Sequence, residues 1–288
     1  MQSLEFKSPG SIQEACRLLD ATGSRPIAGG TDVIPQMRDG RFQAGTLVDI
    51  SRIPDLSYVK QINGEIAIGS TTTHTMIVDS PLIQARARFL AEVSGIVGGV
   101  QTQNRGTLGG NIANASPAGD TLPVLLALDA TLDLVSQSGE RSLALADFLR
   151  GPGRTAILSG EIIRQVRFAP LAQGAQSLFL RLGNRKGMLI SVVSVALVLE
   201  LDAAGRVRDC RIALGAVAPT PIRCREAEAI LLGRPVDAGL IENAAAAAEA
   251  ASRPIDDVRA SAAYRRHIVR VLVRRGLKQL AGLGEATS

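Results

Sequence analysis

Between an apolar strand end, Ile27-Ala28, and the helically spaced Val33, Ile34 and Met37, the chain inserts Gly29-Gly30-Thr31-Asp32. Glycines at such a junction let the backbone approach another group closely, and the N–H groups that open the next helix have no intrahelical acceptor. The turn therefore suits a phosphate, and it equally suits plain turn and N-cap chemistry. Its spacing is not G-x-G-x-x-G, and no acidic residue follows where a Rossmann ribose site needs one. That pattern argues against a nicotinamide-binding fold.

The surrounding residues predict a compact α/β opening over about 1–56. Ser8-Pro9-Gly10-Ser11 reads as a turn and N-cap, and Ile12, Ala15, Cys16, Leu18 and Leu19 follow at helical spacing. Gly23-Ser24-Arg25-Pro26 reads as a turn, and Thr46–Ile50 as a second strand. From Tyr58 the texture changes. Val59, Ile62, Ile66 and Ile68 flank Asn63-Gly64, a hairpin signal. A Thr-rich corner at Ser70–His74, a helix near 81–93, a glycine-rich loop and strands near 131–135 and 162–168 complete a segment of about 57–172. A third region, about 174–284, pairs strands 192–201 and 207–214 around Asp202-Ala203-Ala204-Gly205 and ends in Ala-rich helices.

Composition narrows the function. At 288 residues, 46% hydrophobic and 20% charged, the chain is long and apolar enough for more than one folded core. Ser191, Ser194 and Glu200 interrupt its longest apolar stretch, so no transmembrane segment is expected. Glu5 and Lys7 break up any signal-peptide core, which predicts a cytoplasmic protein. Three cysteines without CxxC spacing and two histidines argue against a metal or iron–sulfur site in this chain. Trp is absent and aromatics are 3%, so stacking on nucleic acid is not expected. Redox chemistry here would require an organic cofactor.

A second loop, Asn104 to Asp120, contains Thr107-Leu108-Gly109-Gly110-Asn111 and reads as exposed backbone donors beside hydroxyl and amide side chains, or as an Ω-like surface loop. Gly30 and Gly110 are the positions where a bulky side chain is expected to block the approach of a phosphate.

The pair Ala28-Gly29-Gly30-Thr31-Asp32 and Thr107-Leu108-Gly109-Gly110-Asn111, followed by Ala115-Ser116-Pro117 and Asp120, resembles the FAD-binding medium subunits of the molybdenum hydroxylases. That family includes carbon monoxide dehydrogenase medium subunits and the FAD domain of xanthine dehydrogenase. The resemblance extends from the Pro9/Ser11 opening to Tyr264-Arg265-Arg266-His267. It implies an α+β fold: a two-subdomain FAD-binding domain of the vanillyl-alcohol-oxidase-like type, followed by a small antiparallel sheet with helices. It assigns Ala28, Gly29, Gly30, Thr31 and Asp32 to the FAD pyrophosphate, with Arg25 as a charge partner. Thr107, Gly109, Gly110 and Asn111 fall along the phosphates and flavin, Asp120 by the ribose or ribityl chain, and the stretch from Arg181 and Lys186 through Ile190-Ser191 beside the isoalloxazine.

The activity it implies is electron transfer in an oxidoreductase. The partners would be a large molybdopterin-binding subunit and a small [2Fe–2S] subunit, as a dimer of heterotrimers. The rival readings are a self-contained flavin oxidase or reductase, with Arg181, Arg185, Lys186 or His74 as its substrate-binding groups, and a non-enzymatic basic module. The latter would use the late helix bearing Arg265, Arg266, Arg270, Arg274, Arg275 and Lys278, which reads as a solvated face or a subunit contact. His74 reads as a polar turn residue before a helix or as a contact to flavin or substrate, and not as a catalyst.

Overall fold

The computed structural model describes residues 4–184 and 190–283. Two compact units form, and neither is contiguous. Residues up to Arg86, with Ser94–Ala115 and Asp129–Pro170, make the first; Ala87–Val93, Ser116–Leu128 and residues from Leu171 onward make the second.

The first unit holds two main sheets. Glu5–Lys7, Thr46–Asp49 and Ser24–Ile27 form a parallel sheet with Thr46–Asp49 in the centre. Its helix Ile12–Leu19 is capped by Ser11, whose side chain accepts from the Glu14 N–H. Ile12, Ala15, Cys16 and Leu19 recur on one face and bury against Val48, Ile50, Ile53 and Leu56. The expected turn at Gly23-Ser24-Arg25-Pro26 is instead largely strand. Ser24–Ile27 lies at the sheet edge, where Pro26 forfeits no ladder donor that a neighbour needs.

The other main sheet is antiparallel, in the order Val59–Ile62, Glu65–Gly69, Ile162–Phe168, Thr131–Ser136, Gly139–Ala144. Its first hairpin turns on Asn63 and Gly64, whose φ values of 51° and 86° suit a type I′ turn. The glycine-rich stretch that reads as an open loop contains the short helices Val100–Arg105 and Leu108–Asn114. Thr107 caps the latter by accepting from the Gly110 N–H, and Ala115 ends it at φ 45°.

In the second unit Gln176–Leu182, Val193–Leu201, Val207–Gly215 and Ile222–Arg223 form an antiparallel sheet in that order. The helices Arg225–Leu231, Ala238–Ala251 and Ala262–Leu280 pack with it around one apolar core. The helix Thr121–Ala127 joins this unit, and all seven of its residues are buried. Arg265 departs from the solvated basic face read from the sequence. It is 1% exposed and donates to the carbonyls of Val192 and Ala216 and, at 2.5 Å, to Asp257. Its helical spacing to Val269, Leu272 and Gly276, all buried, was the available signal. Arg270 and Arg274 pair with Glu242.

Among the described residues, no helix is long and apolar enough to cross a membrane, and no group of three or more His, Cys, Asp or Glu could hold a metal. The three cysteines are free and buried.

Candidate functional site

The first unit contains an open cleft, and both glycine motifs line it. Ala28, Gly29, Gly30, Thr31 and Asp32 face it from the end of strand Ser24–Ile27. Thr107, Gly109, Gly110 and Asn111 face it from the start of helix Leu108–Asn114.

The two motifs do different things. Among the described residues, the N–H groups of Gly29, Gly30, Thr31 and Asp32 donate to no protein acceptor. In the second motif the donors are taken: Leu108 N–H bonds the Thr72 carbonyl, Gly109 N–H the Ser70 carbonyl, Gly110 N–H the Thr107 hydroxyl and Asn111 N–H the Thr107 carbonyl. The expectation of exposed backbone donors therefore holds for the first motif and fails for these four N–H groups. Helix formation and the neighbouring corner satisfy them.

The glycines bring these segments together. A Cβ on Gly29 would stand 1.8 Å from the Arg105 carbonyl oxygen, and one on Gly109 would stand 2.6 Å from Ser70 Cβ and from its carbonyl oxygen. Gly30 is required differently, by its φ of 74°. Within the two motifs, the tightest approaches to the rest of the chain fall at Gly29 and Gly109.

No Lys or Arg lines the cleft among the described residues. Its carboxylate is Asp32, pushed upward in pKa by burial. Asn114, an amide of the second loop, donates to Asp32 at 3.2 Å and accepts from Gln36 at 3.1 Å, so Gln36, absent from the sequence reading, steadies the residue that orients the acid. The sequence presents His74 as a polar turn residue or as a contact to flavin or substrate. It begins the helix His74–Val78, is 2% exposed and lines the cleft, and burial pulls its pKa down to about 4. Its Nδ1 and the Ser70 Oγ, also in the lining, are buried without a partner. Only the polar run before the helix hinted at either residue.

The remaining predicted residues lie elsewhere. Arg25 is exposed on its edge strand and is not in the lining. Asp120 and Arg181 belong to the second unit and bond each other at 2.7 Å, with Ser191 donating to Asp120 at 2.6 Å. Burial raises the Asp120 pKa, while Ser191 and Arg181 pull against it. Lys186, like Arg185, lies outside the described residues.

A cleft that offers unengaged backbone donors and, among the described residues, no Lys or Arg suits a phosphate held by dipoles. Comparisons with known proteins agree with this chemistry. The family model described as the FAD binding domain in molybdopterin dehydrogenase matches residues 2–172, and that of the CO dehydrogenase flavoprotein C-terminal domain matches 179–280. The chain is 32% identical to a glyceraldehyde dehydrogenase medium chain of Sulfolobus acidocaldarius, over 94% of this chain and 96% of that one. It is 32% identical to a carbon monoxide dehydrogenase medium chain of Hydrogenophaga pseudoflava, over 95% of each. A solved structure of reconstituted CO dehydrogenase from Oligotropha carboxidovorans contains a chain matching it at TM-score 0.94 and 30% identity, covering 98% of this chain and 99% of that one. With the family models covering most of its length, the chain belongs to the FAD-binding medium subunits of the molybdenum hydroxylases, a family of oxidoreductase subunits whose cofactor is FAD.

Proposed function

We propose that the chain is the FAD-carrying electron-transfer subunit of a heteromeric molybdenum hydroxylase. A small subunit with [2Fe–2S] clusters delivers electrons, a large molybdopterin subunit oxidises the substrate, and the complex assembles in the cytoplasm as a dimer of heterotrimers. The FAD-binding part spans 1–172, with subdomains of about 1–56 and 57–172, and the C-terminal flavoprotein part spans 174–284.

The observation that carries this reading is the row of unengaged N–H groups at Gly29, Gly30, Thr31 and Asp32, set in a cleft whose second wall is the Thr107–Asn111 motif. The residues present fit FAD. Backbone donors would hold the pyrophosphate, the tight approaches at Gly29 and Gly109 leave small residues facing it, and Asp32 offers a carboxylate to a ribose hydroxyl. Bound FAD would supply the chemistry of linking one-electron clusters to a two-electron acceptor. This chain's own residues bind and orient it. The buried Asp120–Arg181 pair and Ser191 form a polar group within the second unit. Arg25, exposed on its edge strand and outside the cleft lining, is given no part in holding the pyrophosphate.

A self-contained oxidase finds less support, because Arg181 is already committed to Asp120 and His74 is buried and neutral. Co-expression with the neighbouring subunits, followed by metal analysis and chromatography of released flavin, tests the reading. FAD at one per chain with co-purifying iron and molybdenum is the expected outcome. A flavin-loaded chain that turns over substrate alone overturns it in favour of the oxidase.

A further inference from the structure

Two buried side-chain atoms in the cleft wall have no partner: Nδ1 of His74 and Oγ of Ser70, in residues 2% and 3% exposed. Buried polar atoms are rarely left unmet, because each forgoes its hydrogen bonds to water, so such a pair marks where a ligand supplies what the chain does not. Neither side chain belongs to the two glycine motifs.

Their position selects the part of the ligand. A Cβ built on Gly106 would lie 3.4 Å from both His74 Cδ2 and Thr31 Oγ1. The imidazole and the Gly29–Asp32 loop therefore flank the same residue, and the His74 backbone N–H fixes that relation by donating to the Gly106 carbonyl at 3.1 Å. Ser70 adjoins the other motif, since its carbonyl accepts the Gly109 N–H at 2.9 Å. The first loop presents donors, so the group between them is an acceptor. Among the described residues no Lys or Arg lines the cleft to meet it, and Asp32 would repel it when ionised.

We propose that His74 is an anion-binding residue of the dinucleotide site: its neutral imidazole donates an N–H to a pyrophosphate oxygen, with the Ser70 hydroxyl as a second side-chain donor. This rests on the FAD reading above and adds side-chain donors to a cradle otherwise built from backbone. A neutral donor also avoids placing a full charge in a cleft where burial already disfavours an imidazolium.

The chain contains two histidines, His74 and His267, which makes the test direct. The full chain, labelled with ¹⁵N-histidine and freed of flavin, is titrated with FAD, ADP, inorganic pyrophosphate and riboflavin while the imidazole resonances are followed. The His74 signals are expected to move with FAD, ADP and pyrophosphate and to stay with riboflavin, while those of His267 stay throughout. In parallel, His74→Leu should weaken FAD and ADP about tenfold, the loss of one hydrogen bond to a charged acceptor, and His74→Gln, which keeps an N–H donor, should recover most of it. Stoichiometric FAD binding with unmoved His74 signals overturns the proposal. So does a response to FAD without one to ADP or pyrophosphate, which takes the imidazole off the anion. Failure of the wild-type chain to bind FAD removes the parent reading, and this inference with it; the two failures are distinguished by whether flavin is bound at all.

Discussion

Replacing Gly29 with Ala adds one carbon, and the structure says where it would go: 1.8 Å from the Arg105 carbonyl oxygen and 2.6 Å from the carbonyl carbon. Real Cβ contacts essentially never fall below 3.0 Å, so the loop or the end of helix Val100–Arg105 must retreat by at least about 1.2 Å. That helix end is not free to move, because Gly106 N–H bonds the Thr102 carbonyl at 2.6 Å and the Gly106 carbonyl receives the His74 N–H at 3.1 Å. Overpacking of this kind costs roughly 1–3 kcal/mol, or about 2–12 °C in Tm for a chain of this size. The displacement also carries the row of N–H donors away from the anion. Losing two hydrogen bonds to a charged group, at about 1.5–3 kcal/mol each, lowers FAD affinity by on the order of 100-fold or more. Equilibrium dialysis with FAD and a thermal melt of the apoprotein measure the two effects separately. Gly10→Ala is the control, since a Cβ there meets nothing within 4 Å. A Gly29→Ala chain that melts with wild type and binds FAD within threefold would refute the close-approach argument.

Three further outcomes are expected. Arg265→Met strands two buried carbonyls and removes one partner of Asp257, so urea unfolding should show a loss of about 3–5 kcal/mol, and a loss below about 1 kcal/mol would contradict a structural role for the guanidinium. His74 has an ordinary pKa of 6.5 and is lowered to about 4 in the fold, so the unfolded chain takes up a proton between those values that the folded chain refuses. Stability therefore falls as pH drops through that window, and from pH 7.5 to 5 the wild-type apoprotein should lose about 2 kcal/mol more than His74→Gln; equal losses would show the imidazole to be solvated. Because no Lys or Arg lines the cleft among the described residues, FAD affinity should change less than about threefold between 50 and 500 mM salt, and a steep fall on isothermal titration would reveal an uncounted cation.

The fold was legible where local chemistry and tertiary structure agree. Ser11 and the 3–4 spacing of Ile12, Ala15, Cys16 and Leu19 specify a capped amphipathic helix, and Asn63-Gly64 specifies a hairpin; both are present as read. The strand Ser24–Ile27 was hidden by turn-forming residues that an edge position tolerates. The helix Val100–Arg105 was hidden by its brevity between the flanking Gly99 and Gly106, and Leu108–Asn114 by its own two glycines, while the bonds that favour this second helix and its entry come from Thr72 and Ser70, some 36 to 39 residues earlier. The site divided in the same way. The glycine motifs announce themselves by composition, and the cleft does gather both. Gln36 and Ser70 carry no such mark, and His74 and Asn114 only a weak one from the Thr-rich corner and the second loop, because what distinguishes them is burial, missing partners or a bond to a distant acid, none of which is a property of neighbouring residues.

The path of the chain through its two units bears on how the molecule can be divided. The helix Thr121–Ala127 lies inside the stretch matched by the FAD-domain model, yet it packs on Val193–Leu201, Val207–Gly215 and Ile222–Arg223. A fragment ending near 172 would carry Leu122, Val124, Leu125 and Leu126 into water without the strands that cover them. Apolar side chains of that size give up roughly 1.5–3 kcal/mol each when uncovered. Circular permutation at the exposed Asp202-Ala203-Ala204-Gly205 turn keeps both layers in one polypeptide, whereas splitting the gene at the border between the two family models separates a helix from its sheet.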